Sequence, residues 1–357
     1  MNNKALIAMS GGVDSGVSAY LMKQNGYDCI AVTMKLFSNG DISLSEENSC
    51  CSTNDIDIAK NLANSLGMEH HLLNFSDDFK EKVIDNFVSS YENGATPNPC
   101  IECNRHLKFT RLFSFAEENG CDYIVTGHYA RIDRDEESGR YLLKKAVDEE
   151  KDQSYVLYSL TQNQLSHTIF PLGAMTKPEV REIALSQGFE NANKKDSQDI
   201  CFIPDGKYAE FIESYANKKY PEGNFIDTSG NILGTHRGII RYTIGQRKGL
   251  GLALPQPMYV TKVDCENNNV VLGVHSELFS KTLTASKINL ISQETIETPI
   301  RVKAKIRYRQ KPEWATAVQT DTDTLSIEFD EPQRAITKGQ SVVLYDGDIV
   351  VGGGTIE

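Results

Sequence analysis

An apolar run, Ala5-Leu6-Ile7-Ala8-Met9, leads directly into Ser10-Gly11-Gly12-Val13-Asp14-Ser15, and that into a helix-like stretch from Gly16 to Gln24. A strand, a glycine turn and a helix start in this order predict a parallel-sheet unit with an anion cradle at the carboxyl end of its strand. Glycine lets the backbone approach a ligand closely, and the first helical turn points its free N–H groups at it. The spacing is shorter than the commoner phosphate loop G-x-x-x-x-G-K-S/T, and no lysine follows to reach terminal phosphates. A cradle without that lysine suits a nucleotide cleaved between its α and β phosphates. Ser10 and Ser15 are the expected donors to phosphate oxygens, and Asp14 the expected Mg2+ ligand.

Apolar runs and amphipathic stretches then alternate as far as about Thr126: strands near Cys29–Met34, His70–Leu73 and Tyr123–Thr126, helices near Asp55–Leu66, Phe79–Tyr91 and Leu107–Asn119. Such alternation predicts a doubly wound parallel sheet with helices on both faces, binding ligands beyond the strand ends. Helical character continues through 152–165 and 177–187, where Pro178 suits a first-turn position. After about Gly206 the texture turns mixed. Beyond Ser280 short β-rich runs dominate, among them Leu283–Ile291, Ile300–Tyr308 and Ile349–Ile356, which predict an antiparallel β-barrel. At 357 residues the chain exceeds one typical domain. The expected division is an α/β catalytic domain over 1–205, a small mixed central domain over 206–278 and the barrel over 279–357.

No apolar stretch reaches the length of a membrane span, and the N-terminus lacks a signal-peptide core, so a cytoplasmic protein with no membrane association is expected. The net charge of −12 argues against indiscriminate nucleic-acid binding while allowing a local basic face. In a reducing compartment the eight cysteines are not a disulfide framework, and clustered ones point to chemistry or metal. Cys29, Cys121 and Cys265 stand alone among apolar or strand-like residues and read as packing.

Two segments carry cysteines that can react. Thr96-Pro97-Asn98-Pro99-Cys100-Ile101-Glu102-Cys103-Asn104-Arg105 is a proline-held loop opening a helix. Cys103 near that helix start, with Arg105, His106 and Lys108 close in sequence, is placed to be a thiolate. Cys201 follows almost a hundred residues later in a polar loop with an apolar tail. A zinc site on Cys100, Cys103, Cys201 and Cys50 or Cys51, a catalytic thiol pair, and an iron–sulfur cluster on Cys100, Cys103 and Cys201 with one open iron are all compatible with this spacing.

Several stretches occur together and in order: the Ser10–Ser15 loop, Thr96-Pro97-Asn98-Pro99 with Cys103-Asn104, Thr126-Gly127-His128-Tyr129, Lys151-Asp152-Gln153-Ser154-Tyr155, Lys195-Asp196-Ser197 ahead of Ile200-Cys201-Phe202, Gly245-Gln246-Arg247-Lys248-Gly249-Leu250-Gly251 and Arg307-Tyr308-Arg309-Gln310. The first resembles the PP-loop of the ATP pyrophosphatase superfamily. The ordered set resembles the tRNA-specific 2-thiouridylases (the MnmA family) across the whole chain.

That resemblance implies ATP-dependent sulfuration of the wobble uridine of tRNAs for Lys, Glu and Gln, releasing AMP and pyrophosphate. It implies ATP and Mg2+ bound through Ala8, Met9, Ser10, Gly11, Gly12, Val13, Asp14 and Ser15, with Met34 and Gly127. It makes Cys103 the nucleophile and Cys201 the persulfide carrier, fed by a cysteine desulfurase or a sulfur-relay protein. Asn98, Pro99 and Cys100 would meet the target base, and His128, Lys151, Asp152, Gln153, Arg307, Tyr308 and Gln340 would touch tRNA. Some members carry Asp where this chain has Cys100, so a proton-transfer role does not pass to the thiol unexamined. Two rivals share parts of this pattern: another PP-loop adenylating or amidating ligase, needing no cysteine, and a cluster-bearing RNA-binding protein without turnover.

An RNA face is also expected from Arg301 to Lys311, where a cation occupies every odd position, so that a single strand would present all of them together. A second basic patch comprises His236, Arg237, Arg241, Arg247 and Lys248. Trp314 is expected in the barrel core or as a packing anchor, and His70 and His71 as packing or surface residues.

Overall fold

The computed structural model describes residues 3–37, 53–194, 200–203 and 205–357. Cys50, Cys51 and the Lys195-Asp196-Ser197 motif lie outside them.

The N-terminal sheet is wholly parallel. Its strands β1 (Lys4–Ala8), β2 (Asp28–Lys35), β3 (Glu69–Asn74), β4 (Tyr123–Val125) and β7 (Thr168–Ile169) lie in the order β3-β2-β1-β4-β7. Both faces are covered, as period-two alternation along β1 requires. Ala5 and Ile7 enter one core cluster with Met22 and Ala59, whereas Leu6 enters another with Phe79, Phe87 and Leu107. Helices α1 (Val13–Gln24) and α2 (Thr53–Ser65) follow β1 and β2. The strand order reverses between β1 and β4, and the crevice outside their carboxyl ends is where such sheets hold ligands.

Two expectations change here. The 152–165 stretch is not one helix but two short ones, Ser154–Leu157 and Gln162–Ser166. Thr161 ends the first turn sequence and caps the second helix, its hydroxyl accepting from the Gln164 N–H at 3.3 Å. The hairpin of β5 (Ala130–Arg134) and β6 (Tyr141–Lys145), absent from the sequence reading, leaves the parallel sheet altogether. It joins the C-terminal barrel through Lys144 opposite Ile349.

That barrel contains β12 (Phe279–Leu290), β13 (Ile300–Lys305), β14 (Glu313–Asp321), β15 (Thr324–Arg334), β16 (Ser341–Asp346) and β17 (Ile349–Ile356). They pair antiparallel in the order β12-β15-β14-β13-β16-β17, and β12 pairs again with β17 to close the ring. Between the two lies a four-stranded sheet of β8 (Gly223–Asp227), β9 (Ile232–His236), β10 (Tyr259–Asp264) and β11 (Asn269–Gly273), cored by Phe225, Val260, Val270 and Leu272. The fold is α/β with a central barrel-type domain and a closed C-terminal barrel. No helix of the described residues is long and apolar enough to cross a membrane.

The barrel packs directly on the first domain. The Tyr155 hydroxyl donates to Ser341 O at 2.7 Å, and Asn289 Nδ2 donates to Tyr158 O and Leu160 O. These contacts turn one side of the barrel towards the crevice beyond β1 and β4.

Candidate active site

The loop after β1 is held open by its own hydroxyl. Ser15 Oγ accepts from the Ser10 N–H at 3.2 Å and donates to Gly12 O at 3.0 Å. Gly12 precedes α1 without a side chain, so the first-turn N–H groups there face outward unhindered. Gly11 adopts φ +73°, and a Cβ on it would sit 2.4 Å from Asp55 O of α2. Gly127, just past β4, would bring a Cβ within 2.9 Å of Asp14 C and Ser15 N. Only glycine at these two positions lets the loop close this tightly.

Asp14 does not stand open for a cation. Lys177 Nζ donates to both its oxygens at 2.8 Å, and the Tyr129 hydroxyl donates to Oδ1 at 2.7 Å. Lys177 is the first residue of α4 (Lys177–Ser186) and is 5% exposed. Its position is locally fixed: the Thr176 N–H donates to Glu179 Oε2 at 2.7 Å in the manner of a capping box, Pro178 follows, and the Lys177 N–H donates to Asp148. Beneath the loop Asn191 Nδ2 donates to Gly11 O at 2.9 Å, and Lys194 pairs with Asp55. Lys177 was not singled out by sequence. Its Thr-Lys-Pro-Glu setting reads as a helix start, but its partner lies 163 residues away.

A cavity of about 1380 Å³ opens over this loop. Its wall includes Ala8, Met9, Ser10, Gly12, Val13, Asp14, Ser15, Met34 and Gly127, and also Pro99, Cys100, Cys103 and Cys201. The two segments that carry Cys100, Cys103 and Cys201 therefore meet the Ser10–Ser15 loop in one space. The helix α3 (Pro99–Cys103) presents the first two thiols. Asn98 caps it, Oδ1 accepting from the Cys100 N–H at 3.1 Å, and Pro99 occupies the first position. The chain continues as a π-helical segment, Asn104–Arg111. Cys201 is placed by its neighbour: Phe202, fully buried, packs its ring against Phe79, Phe87 and Phe211 at 5.2–5.7 Å between centroids. The apolar tail is thus the anchor and the thiol stays at the wall.

The electrostatics differ from the sequence expectation. Arg105 and His106 both pair with Glu102. Lys108 lines the cavity, where its charge opposes, without overcoming, the burial that raises the Cys100 thiol pKa. Cys100 is reached by water inside the cavity but is walled by protein on most sides. Burial first and Lys108 second hold His128 well below the usual imidazole range. His128 Nδ1 shares a 2.7 Å hydrogen bond with Thr126 Oγ1, so a neutral imidazole faces the cavity. Cys29, Cys121 and Cys265 lie elsewhere, the first pushed up to about 11 by burial.

The zinc alternative draws on Cys50 or Cys51, which lie outside the described residues. Among the described residues no three His, Cys, Asp or Glu side chains gather as a metal-holding group, Cys100, Cys103 and Cys201 included. The thiols share a wall without forming a ligand set.

Domain models match the chain in the same order as the folds just described. They are a tRNA methyl transferase HUP domain over residues 3–205, a tRNA methyl transferase PRC-barrel domain over 209–274 and an aminomethyltransferase β-barrel domain over 280–356. A tRNA-specific 2-thiouridylase MnmA of Clostridioides difficile (strain 630) is 55% identical over 357 residues, covering 100% of this chain and 99% of that protein. The chain belongs to the tRNA-specific 2-thiouridylase family. A second member, MnmA 1 of Thermoanaerobacter sp. (strain X514), is 52% identical over 100% of this chain and 98% of that protein. Among solved structures a 4-thiouridine synthetase in complex with RNA and ATP reaches a TM-score of 0.39 at 19% identity, over 60% of this chain and 50% of that one, too low to bear on function.

Within this 2-thiouridylase the remaining predicted site residues fall into two groups. His128, Lys151, Asp152, Gln153 and Tyr308 line the cavity. Asp152 also accepts from the Ala146 and Ser154 N–H groups, and Gln153 Oε1 from that of Tyr129, so both brace the wall they form. Gly11, Asn98, Arg307 and Gln340 are not on it. Gln340 donates to Thr96 O at 2.7 Å and steadies the loop before α3. Arg307 Nη2 donates to Ile244 O, Ala335 O and Thr337 Oγ1, tying the barrel to the central domain.

The row of cations is shorter than period-two geometry implied. β13 ends at Lys305, and a turn takes residues 306–310 out of register. Val302 and Ala304 do face the barrel core, with Lys303 and Lys305 on the cavity wall, joined there by Lys145, Lys151, Arg309 and Lys311. Arg301 instead pairs with Asp330. The second patch dissolves as a unit: His236 is buried and Arg241 pairs with Glu210 and Glu213. Trp314 is not in the core; it is 51% exposed.

Proposed function

We propose that this enzyme transfers sulfur to C2 of the wobble uridine of tRNAs for Lys, Glu and Gln, at the expense of ATP, in the cytoplasm. The observation that carries the reading is the single cavity shared by the Ser10–Ser15 loop, Cys103 and Cys201. Its cationic wall of Lys145, Lys151, Lys303, Lys305, Arg309 and Lys311 suits a polyanion entering an otherwise acidic protein.

The C2 oxygen of uridine is a poor leaving group. Its attack on the α phosphate of ATP forms the C2–O–AMP bond and expels pyrophosphate. The first-turn N–H groups of α1, Ser10 and Ser15 receive the phosphate charge, while Lys177, paired with Asp14, fixes the start of α1 beneath them. Bound Mg2+ would supply neutralisation of phosphate charge, and Asp14, which also accepts from Lys177 and Tyr129, is the loop carboxylate that would hold it. Neutral His128 and the half-enclosed wall restrict water around the activated carbon.

A donor, a cysteine desulfurase or a relay protein, leaves sulfane sulfur on Cys201 as a persulfide. The terminal sulfur bonds to C2, either directly or as sulfide, and AMP departs with the former C2 oxygen. Cys103 attacks Cys201 Sγ as the S–S bond breaks, so the two thiols give two electrons and end as a disulfide. An external thiol reductant restores them. Cys100, its thiol held up by burial, is at the wall without an assigned step. Incubating unmodified tRNA transcript with ATP, a persulfide source and the enzyme tests the reading: 2-thiouridine and pyrophosphate should form in equal amounts. Pyrophosphate without thiouridine under thiol blockade supports the thiol step, whereas turnover indifferent to thiol blockade favours an adenylating ligase.

A further inference from the structure

The chain has one tryptophan, and it faces solvent. Trp314 stands near the start of β14, directly across from Lys303 of β13. Lys303 Nζ lies 5.2 Å from the indole centroid and the Arg301 guanidinium 5.6 Å. Alternation fixes this arrangement, because Val302, Ala304 and Ala315 on the opposite faces are sealed in the barrel core. Arg301 is further held by two hydrogen bonds to Asp330, at 2.9 and 2.8 Å. Even beside both cations, half of the tryptophan remains open to solvent.

Its neighbours lead inward. Lys303 and Lys305 share the outer face of β13 and both line the cavity. Their backbones are roughly 6.6 Å apart at about 3.3 Å rise per residue, a separation suited to successive phosphates of a single strand. An exposed indole beside Lys303, in line with lysines entering the cavity, is chemistry for an unpaired nucleobase: the ring stacks on the base and the lysines meet its phosphates.

We propose that Trp314 is a stacking platform for an unpaired tRNA nucleobase outside the cavity, with Lys303 and Lys305 holding the backbone that leads from it to the uridine inside. The identity of the RNA rests on the thiolation reading; the platform itself rests on the barrel surface. The alternative is that the lysine and arginine stems simply cover an apolar ring.

Because Trp314 is the sole tryptophan, its emission reports this contact without mutation. The full chain is titrated with unmodified tRNA transcript while binding is followed in parallel by filter retention. The proposal expects emission quenching and protection from iodide that saturate with the bound fraction. It also expects roughly tenfold weaker binding in Trp314→Ala, with Trp314→Phe within about twofold of the parent. Binding that leaves emission and iodide access unchanged overturns the platform and leaves the thiolation reading intact. Failure of tRNA to bind at all overturns both.

Discussion

Lys177 Nζ lies 2.8 Å from each carboxylate oxygen of Asp14, joining the first residue of α4 to the second residue of α1. The pair ties a helix distant in sequence to the start of the helix that follows the glycine turn. Lys177→Met is expected to cut pyrophosphate release at least tenfold, because Asp14 and the start of α1 lose the contact that fixes them beside the loop. Asp14→Ala should cost more stability than Lys177→Met. It removes the carboxylate paired with a side chain only 6% exposed, about 3–5 kcal/mol, whereas Asp14 without Lys177 keeps Tyr129 and partial access to water. Urea unfolding midpoints and a pyrophosphate assay check both; the reverse order of stability would contradict the burial argument.

Gly11→Ala is expected to weaken ATP binding at least tenfold and to cost about 1–3 kcal/mol, because φ +73° and the Asp55 carbonyl at 2.4 Å both oppose a Cβ. Gly26→Ala is the control. It has φ +80° with nothing within 4 Å, so about 1 kcal/mol is expected with ATP affinity retained. Calorimetric titration with ATP separates the two.

Stability should fall on mild acidification. His128, His70 and His236 are all held below the ordinary histidine value of 6.5, each chiefly by burial. The unfolded chain takes up protons as pH falls through 6.5 while the folded chain resists. The stabilisation is therefore complete above 6.5 and is lost as pH falls below it, at up to about 1.4 kcal/mol per unit for each histidine. Unfolding free energies between pH 7.5 and 5 should show this slope, and His128→Asn should make it shallower.

Replacing Lys303 with Glu should weaken tRNA binding at low salt and lessen its salt dependence by more than one phosphate contact, since a cation is lost and an anion gained. Arg301→Ala should do less, because Asp330 already occupies that guanidinium. Binding measured across a salt series distinguishes them.

The turn after β1 was legible because its parts are local: a strand, two glycines and two hydroxyls within a dozen residues need only backbone geometry to become a cradle. The barrel core was legible in the same way, from Val302 and Ala304 alternating with lysines. What sequence concealed was set by distant partners. Glu102 claims Arg105 and His106, Glu210 and Glu213 claim Arg241, and Asp14 claims Lys177. A turn after Lys305 ends the cation row, and the β5–β6 hairpin leaves its own domain for the barrel. Trp314, apolar by type, turned outward because its register with Lys303 puts it on the wet face.

The account depends most on Cys103 and Cys201 acting as a pair over a working nucleotide site. Its most direct test is 2-thiouridine formation, by nucleoside mass spectrometry, in Cys103→Ser and Cys201→Ser proteins given tRNA transcript, ATP and a persulfide donor. Both variants should bind tRNA and ATP within about threefold of the parent, since serine nearly matches cysteine in size and shape, and neither should make 2-thiouridine. Full thiouridine yield from either one would contradict it.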